Sequence, residues 1–158
     1  MGDPRPTRSD PRVKEIATRR LAEDCAQWGD ETDAAQWEKM LSRCHLNDNG
    51  YEIAKDLDQR QHVIAVDAVL VEILDSASSY VWSAHDDLTK LWVEANGIQP
   101  SLVIGDRVRT TRGDGTISGI RQAWAKYIVV PDCEAEKFAN GGGVILDYEG
   151  CTLLERHL

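Results

Sequence analysis

The chain has 158 residues, 42% hydrophobic and 28% charged, which suits one domain or two small ones and excludes a long solenoid or a large multidomain enzyme. Its 18 basic and 27 acidic side chains leave a net charge of -9, with a pI near 4.9 and a mean hydropathy of -0.42, a balance that argues against a free-standing binder of nucleic acid. No nearly uncharged stretch reaches the roughly 18 to 20 apolar residues of a membrane span, and Met1 to Arg20 lacks the apolar run of a secretory signal, so a cytoplasmic setting with no membrane contact is expected.

In chain order, residues 1–9 read as a disordered tail. Asp10-Pro11 then reads as a helix start, a capping acceptor followed by the proline that fits the first helical position. Val13, Ile16, Ala17, Leu21, Cys25 and Trp28 recur at three- and four-residue spacings and share one helical face, and Gly29 ends the run. Thr32 or Asp33 caps a second helix with Trp37, Met40, Leu41 and Cys44 on its stripe. Asn47, Asp48 and Asn49 mark a turn. A short helix from about Tyr51 to Arg60 follows, with Ile53, Ala54 and Leu57 inward. After a break over 61–65, the apolar rhythm from Val69 to Ala95 runs for about seven turns, as one helix or as two meeting near Ser76 to Ser79. Asn96-Gly97 closes it, with Pro100 just beyond.

Past Pro100 the period changes to that of strands, and eight of the twelve glycines lie there. Strands are expected near Arg107 to Arg112, Thr116 to Arg121, Lys126 to Val130, Val144 to Tyr148 and Thr152 to Leu154. Arg112-Gly113-Asp114-Gly115 is expected to form the first hairpin turn. Five short strands in so few residues favour a closed or half-closed small barrel, since closure removes sheet edges. The runs Ile104-Gly105-Asp106-Arg107-Val108-Arg109-Thr110, Gly113-Asp114-Gly115-Thr116-Ile117-Ser118-Gly119-Ile120 and Tyr127-Ile128-Val129-Val130 resemble an SH3-like small barrel of the KOW or Tudor type. That resemblance covers the C-terminal third and implies binding of nucleic acid or protein without catalysis. The expected fold class is α+β: an acidic helical bundle over 10–97 followed by a small five-stranded barrel over 101–158.

Charge is unevenly spread, +3 over residues 1–20, -11 over 21–100 and -1 over 101–158. Either the acidic helical part is a solvated surface that keeps the protein soluble, or it meets a basic partner, with complementary potential speeding association. On the second reading Asp56, Asp58, Asp67, Glu72, Asp75, Asp86 and Asp87 form the contact surface and can imitate a row of phosphates before a site built for nucleic acid. Compact acidic proteins of this size are what phage and plasmid genomes encode as inhibitors of host defence complexes, anti-CRISPR proteins among them. The expected partner is then a protein with a basic surface, such as a host nucleoprotein complex.

Within the strand-forming third, Arg107, Arg109, Arg112, Arg121 and Lys126 face only Asp114 between residues 107 and 126. They form the alternative site, a phosphate-contacting patch for DNA or RNA, unless the acidic residues after 126 neutralise them. Trp82 falls beside the inward stripe of its helix, and Trp124 fits no stripe, so both are candidate interface anchors, for a partner or for a homodimer.

No chemistry-bearing constellation emerges. Cys25, Cys44, Cys133 and Cys151 lack a paired spacing and read as reduced, mostly buried thiols. Cys44-His45 diverge on a helix, and His62, His85 and His157 are isolated, so no metal or cofactor is expected. Gly141-Gly142-Gly143 lacks the Lys-Ser/Thr ending of a phosphate loop. The sequence therefore points to a binding or inhibitory protein and not to an enzyme.

Overall fold

The computed structural model describes residues 3–28, 32–61 and 66–157. The chain is α+β: five helices precede a five-stranded antiparallel sheet. It divides into two compact units, Pro4–Leu88 and a second formed by Asp3 with residues 89–157. The division falls inside the last helix and not at the Gly97 to Pro100 junction marked by the sequence. The positions expected for the stop at Gly29 and for most of the 61–65 break lie outside the described residues.

In the first unit, α1 (Pro11–Trp28) starts where Asp10 accepts the Arg12 amide at 2.9 Å and pairs with the Arg12 guanidinium at 2.7 Å. The Arg12 side chain, and then its amide, hold the Asp10 carboxyl below its ordinary value. The α2 helix (Ala34–Leu41) is capped by Asp33, which accepts from the Gln36 amide at 2.8 Å. It ends before Cys44, which is nevertheless buried in the turn that follows.

Two further helices, α3 (Gly50–Gln61) and α4 (Ala68–Asp75), are followed by α5 (Ala77–Asn96). The long apolar rhythm is thus two helices, interrupted at Ser76, whose hydroxyl donates to the Ile73 carbonyl at 2.8 Å. One core joins all five helices: Val13, Leu21, Trp37, Leu41, Ile53, Leu57, Leu70, Leu74 and Val81 are among its buried side chains. Each fully buried aliphatic side chain is worth about 1.5–3 kcal/mol relative to exposure.

Three positions on that rhythm face outward, one of them the small Ala95 near the end of α5. Val69 is 55% exposed at the start of α4, and Leu91 is 60% exposed on α5, where Thr89 and Val93 are buried instead. Residues 89–96 belong to the second unit, so a different side of the helix is covered there.

Residues 3–9, expected as a disordered tail, make specific contacts. Within the first unit Pro6 is buried, its carbonyl lies 3.3 Å from His85 Nε2, and the Arg8 guanidinium stacks over the Trp82 ring at 4.0 Å. Within the second unit the Trp92 indole donates to the Asp3 carbonyl at 2.7 Å.

The sheet comprises β1 (Arg107–Thr110), β2 (Gly113–Arg121), β3 (Lys126–Pro131), β4 (Val144–Asp147) and β5 (Thr152–Glu155), in the order β4-β3-β2-β1-β5. Thr110 pairs with Gly113, so the hairpin turn is Thr111-Arg112 and not the Arg112 to Gly115 segment. Gly113, at φ +101°, supplies the positive angle with which the chain re-enters the ladder. Pairing runs from one edge strand to the other, and among the described residues β4 and β5 do not pair. The sheet is thus not closed by strand pairing among the described residues, its edge strands only four residues each and separated by a 3-10 turn at Tyr148–Gly150. Leu102, Val108, Ile117, Tyr127 and Val129 form its core, with Leu146 and Leu153 packed against them.

A buried carboxylate locks the entry to this sheet. Asp106 accepts the Val103 amide at 3.0 Å on one oxygen and the His157 amide at 2.9 Å on the other, joining the loop before β1 to the segment after β5. Those two amides, aided by Arg156 and His157, lower its pKa below the ordinary 3.8. A lowered folded-state value means stability present in full at neutral pH and lost as pH falls through that value. Asp106→Asn should therefore melt several degrees below the wild type at pH 7, with the gap narrowing below pH 4, as followed by thermal denaturation across pH.

Gly50 begins α3 where it meets α4. Its amide donates to the Asp75 carboxylate at 2.5 Å. A Cβ there would stand 2.3 Å from the Val71 carbonyl oxygen and 2.6 Å from the Asp75 nitrogen, backbone that cannot yield. Gly50→Ala is predicted to destabilise the helical unit by about 1–3 kcal/mol in urea unfolding, the usual cost of overpacking.

Candidate functional site

The seven carboxylates singled out from the sequence divide by what they hold. Asp67 caps α4 through the Leu70 amide at 2.8 Å and also receives the Trp28 indole at 3.1 Å. Asp75 holds Gly50, Asp87 pairs with Arg20 at 2.8 Å, and Asp56 pairs with Arg60 at 2.5 Å one turn along α3. Asp86 stands 3.8 Å from the His85 ring. Asp58 and Glu72 are exposed and have no cationic partner among the described residues. Four of the seven thus serve the fold, and a charge count along the chain could not separate them from the others.

Between α3 and α4 lies a groove of about 500 Å³. Tyr51, Ala54, Val66 and Val71 supply its apolar lining, and Asp58 stands on one helix while Asp67 stands at the start of the other. Lys55 also lines it, but its amine lies 3.6 Å from Glu52. Tyr51 is 64% exposed. Sequence reasoning missed Tyr51, which lies off the stripe of Ile53, Ala54 and Leu57. A large aromatic on the outward side of a short amphipathic helix is the signal that could have found it.

Three of the five candidate phosphate contacts are already paired. Arg107 grips Asp132 with two bonds of 2.6 Å and also reaches the Thr116 hydroxyl at 3.1 Å. Arg109 pairs with Asp114 at 2.9 Å and Arg112 lies 3.8 Å from Glu134. Asp132 lowers in turn because of Arg107, and Asp114 because of Arg109. Arg121 and Lys126 face each other at the end of the β2–β3 ladder and have no carboxylate partner among the described residues. Beside them Trp124 is half-buried under the Lys90 ammonium, 5.1 Å from the ring. Ala125 follows in the left-handed region at φ 49°, a strained setting for a residue with a Cβ.

Trp82 is 52% exposed despite the Arg8 guanidinium above it. Trp28 and Trp37 meet edge to face at 6.2 Å within the helical core.

All four cysteines are free. Burial, with Asp24 nearby, pushes the Cys25 thiol up to about 12. Burial and then Asp56 push Cys44 up to about 11, and Cys151 is raised by burial. Cys133 is exposed, contrary to the expectation of mostly buried thiols, because the 3-10 segment Asp132–Phe138 that carries it contributes no buried side chain. Among the described residues no group of three or more His, Cys, Asp or Glu side chains is placed to hold a metal ion, and no helix is long and apolar enough to cross a membrane. Compared with known proteins, the chain matches no family model, no curated protein and no solved structure.

Proposed function

We propose that this is a non-enzymatic binding or inhibitory protein whose acidic helical unit engages a protein with a basic surface. The observation that supports this reading most is the distribution of ion pairs. Arg107, Arg109 and Arg112 are matched by Asp132, Asp114 and Glu134, whereas Asp58 and Glu72 on α3 and α4 have no cationic partner among the described residues. A free carboxylate in an apolar groove, as Asp58 is, suits a lysine or arginine side chain, whose hydrocarbon stem lies along apolar surface while its charge meets the acid. Host nucleic-acid-handling complexes carry such basic surfaces, and inhibition of a defence complex of the anti-CRISPR type by a phage or mobile-element protein is the biological role proposed, in the cytoplasm.

For the sheet unit we propose a half-closed SH3-like barrel of the KOW or Tudor type. Its support is that side chains from both edge strands, Leu146 and Leu153, pack on the same core as Val108, Ile117 and Tyr127, and that the β2–β3 register shifts between Ile117 and Gly119, an irregularity that bends a strand.

A second reading, contact with DNA or RNA, keeps Arg121 and Lys126 as its basis, with Trp124 between them in sequence. The two readings part in one experiment. The tagged protein is used to capture partners from nuclease-treated bacterial lysate, beside Asp58→Lys/Glu72→Lys and Arg121→Glu/Lys126→Glu variants. Retention of a basic protein by the wild type and its loss, by about tenfold or more, in the first variant alone is the expected result. Recovery of nucleic acid from untreated lysate, steeply salt-dependent and lost only in the second variant, would transfer the function to the sheet.

A further inference from the structure

Helix α5 carries, beside its inward stripe of Ala77, Val81 and Ala84, a second face with Trp82 and His85. The N-terminal arm lies on it. Pro6 is buried and offers its carbonyl to His85 Nε2 at 3.3 Å, and two residues on Arg8 lays its guanidinium over the Trp82 indole at 4.0 Å. The arm turns away at once, with the Asp10 amide donating to the Thr7 carbonyl at 3.0 Å and Asp10 capping α1.

The arm occupies this face incompletely. Of Pro4 to Ser9 only Pro6 is buried, and Thr7, Arg8 and Ser9 are exposed. Trp82 keeps 52% of its surface open. Arg8 has no carboxylate partner among the described residues, although the Asp86 carboxylate lies beside His85 on the same helix. Next to the turn, a cleft of about 150 Å³ lined by Arg8, Ser9, Leu46 and Val81, with Lys14 and His45, is left unfilled. The Pro6-Thr7-Arg8 stretch touches this face through one buried proline, one hydrogen bond and one stacked cation, while Asp3 upstream is held by the Trp92 indole. The chemistry that holds it is nonetheless specific: an aromatic plate for a cation, a ring donor for a main-chain carbonyl, and a buried seat for a proline ring.

We propose that this face of α5 is a recognition site for an extended Pro-x-Arg segment of a partner protein, and that the chain's own Pro6-Thr7-Arg8 occupies it as a displaceable cover. The inference rests on the reading of the helical unit as a face for a basic protein and names the segment such a partner would present. A partner segment gains the same three contacts and can add one to Asp86, which the arm does not make. Opening of the arm precedes binding, so the apparent affinity is reduced by the fraction of molecules in which the arm is closed.

The test uses the full chain and an acetylated, amidated peptide of residues 4–10, titrated to millimolar concentration while the Trp82 indole N–H resonance is followed by NMR, with Trp82→Phe identifying that signal. Arg8→Ala, which weakens the cover and leaves the face intact, should bind the peptide at least about tenfold more tightly than the wild type. The same peptide with alanine at the position of Arg8 should lose that binding, and Trp82→Ala should show none. Equal affinity in wild type and Arg8→Ala, or a Trp82 resonance unmoved in both, would overturn the proposal. So would a dimer in sedimentation equilibrium that dissociates in Arg8→Ala, because the site would then serve exchange of arms between two copies. The peptide result does not depend on lysate capture. Peptide binding with capture unaffected by Asp58→Lys/Glu72→Lys removes the groove between α3 and α4 and keeps this site, and the reverse pattern removes this site alone.

Discussion

Asp67 concentrates the architecture of the helical unit in one carboxylate. It begins α4 by accepting the Leu70 amide, and it anchors the last residue of α1 by accepting the Trp28 indole. Trp28 in turn meets Trp37 of α2 edge to face. Three helices are therefore fixed relative to one another through a group that is acidic only incidentally. An indole N–H and an amide N–H need an acceptor with two strong oxygens at that point, and an aspartate at the capping position supplies both. Asp75 repeats the device with the Gly50 amide, where α3 and α4 come together too closely for any side chain.

Acidity in this protein thus has two origins. Some carboxylates are components of helix starts and helix junctions, and others are left over on the surface. The surplus on α3 and α4 lies beside exposed Tyr51 and Val69, a combination of apolar area and unpaired charge that a solvated face alone does not call for. In the sheet unit the balance is reversed. Cross-strand and loop carboxylates are positioned to meet the arginines of β1, with Arg107 and Asp132 aligned as a two-bond fork. That pairing spends the donors a phosphate would need.

Periodicity made the helices and strands legible because each of them buries one face. The Asp10 and Asp33 caps, the interruption at Ser76 and the five strands were all within reach of spacing and turn chemistry, whereas Asp67 read only as one more surface carboxylate. Two kinds of feature were not. Where a side chain's neighbour is far along the chain, as for Asp67 with Trp28 or Arg107 with Asp132, sequence offers a charge or a ring but no partner. Where burial comes from a second compact unit, the rhythm misleads, as at Leu91, which continues the stripe and yet faces outward while Thr89 and Val93 are covered. The residues of the α5 face were half legible. Trp82 could be seen to fall off the inward stripe, but nothing near it in sequence indicates that an arm some 75 residues earlier in the chain lies across it.

The four thiols differ in a way that has a practical use. Cys25, Cys44 and Cys151 are withdrawn from solvent to differing degrees, and their raised values keep them protonated and slow toward electrophiles. Cys133 alone stands exposed, on a 3-10 segment that buries none of its side chains. A maleimide dye or spin label applied briefly at neutral pH will therefore mark the sheet unit at a single position without any engineered cysteine, and leave the helical unit untouched.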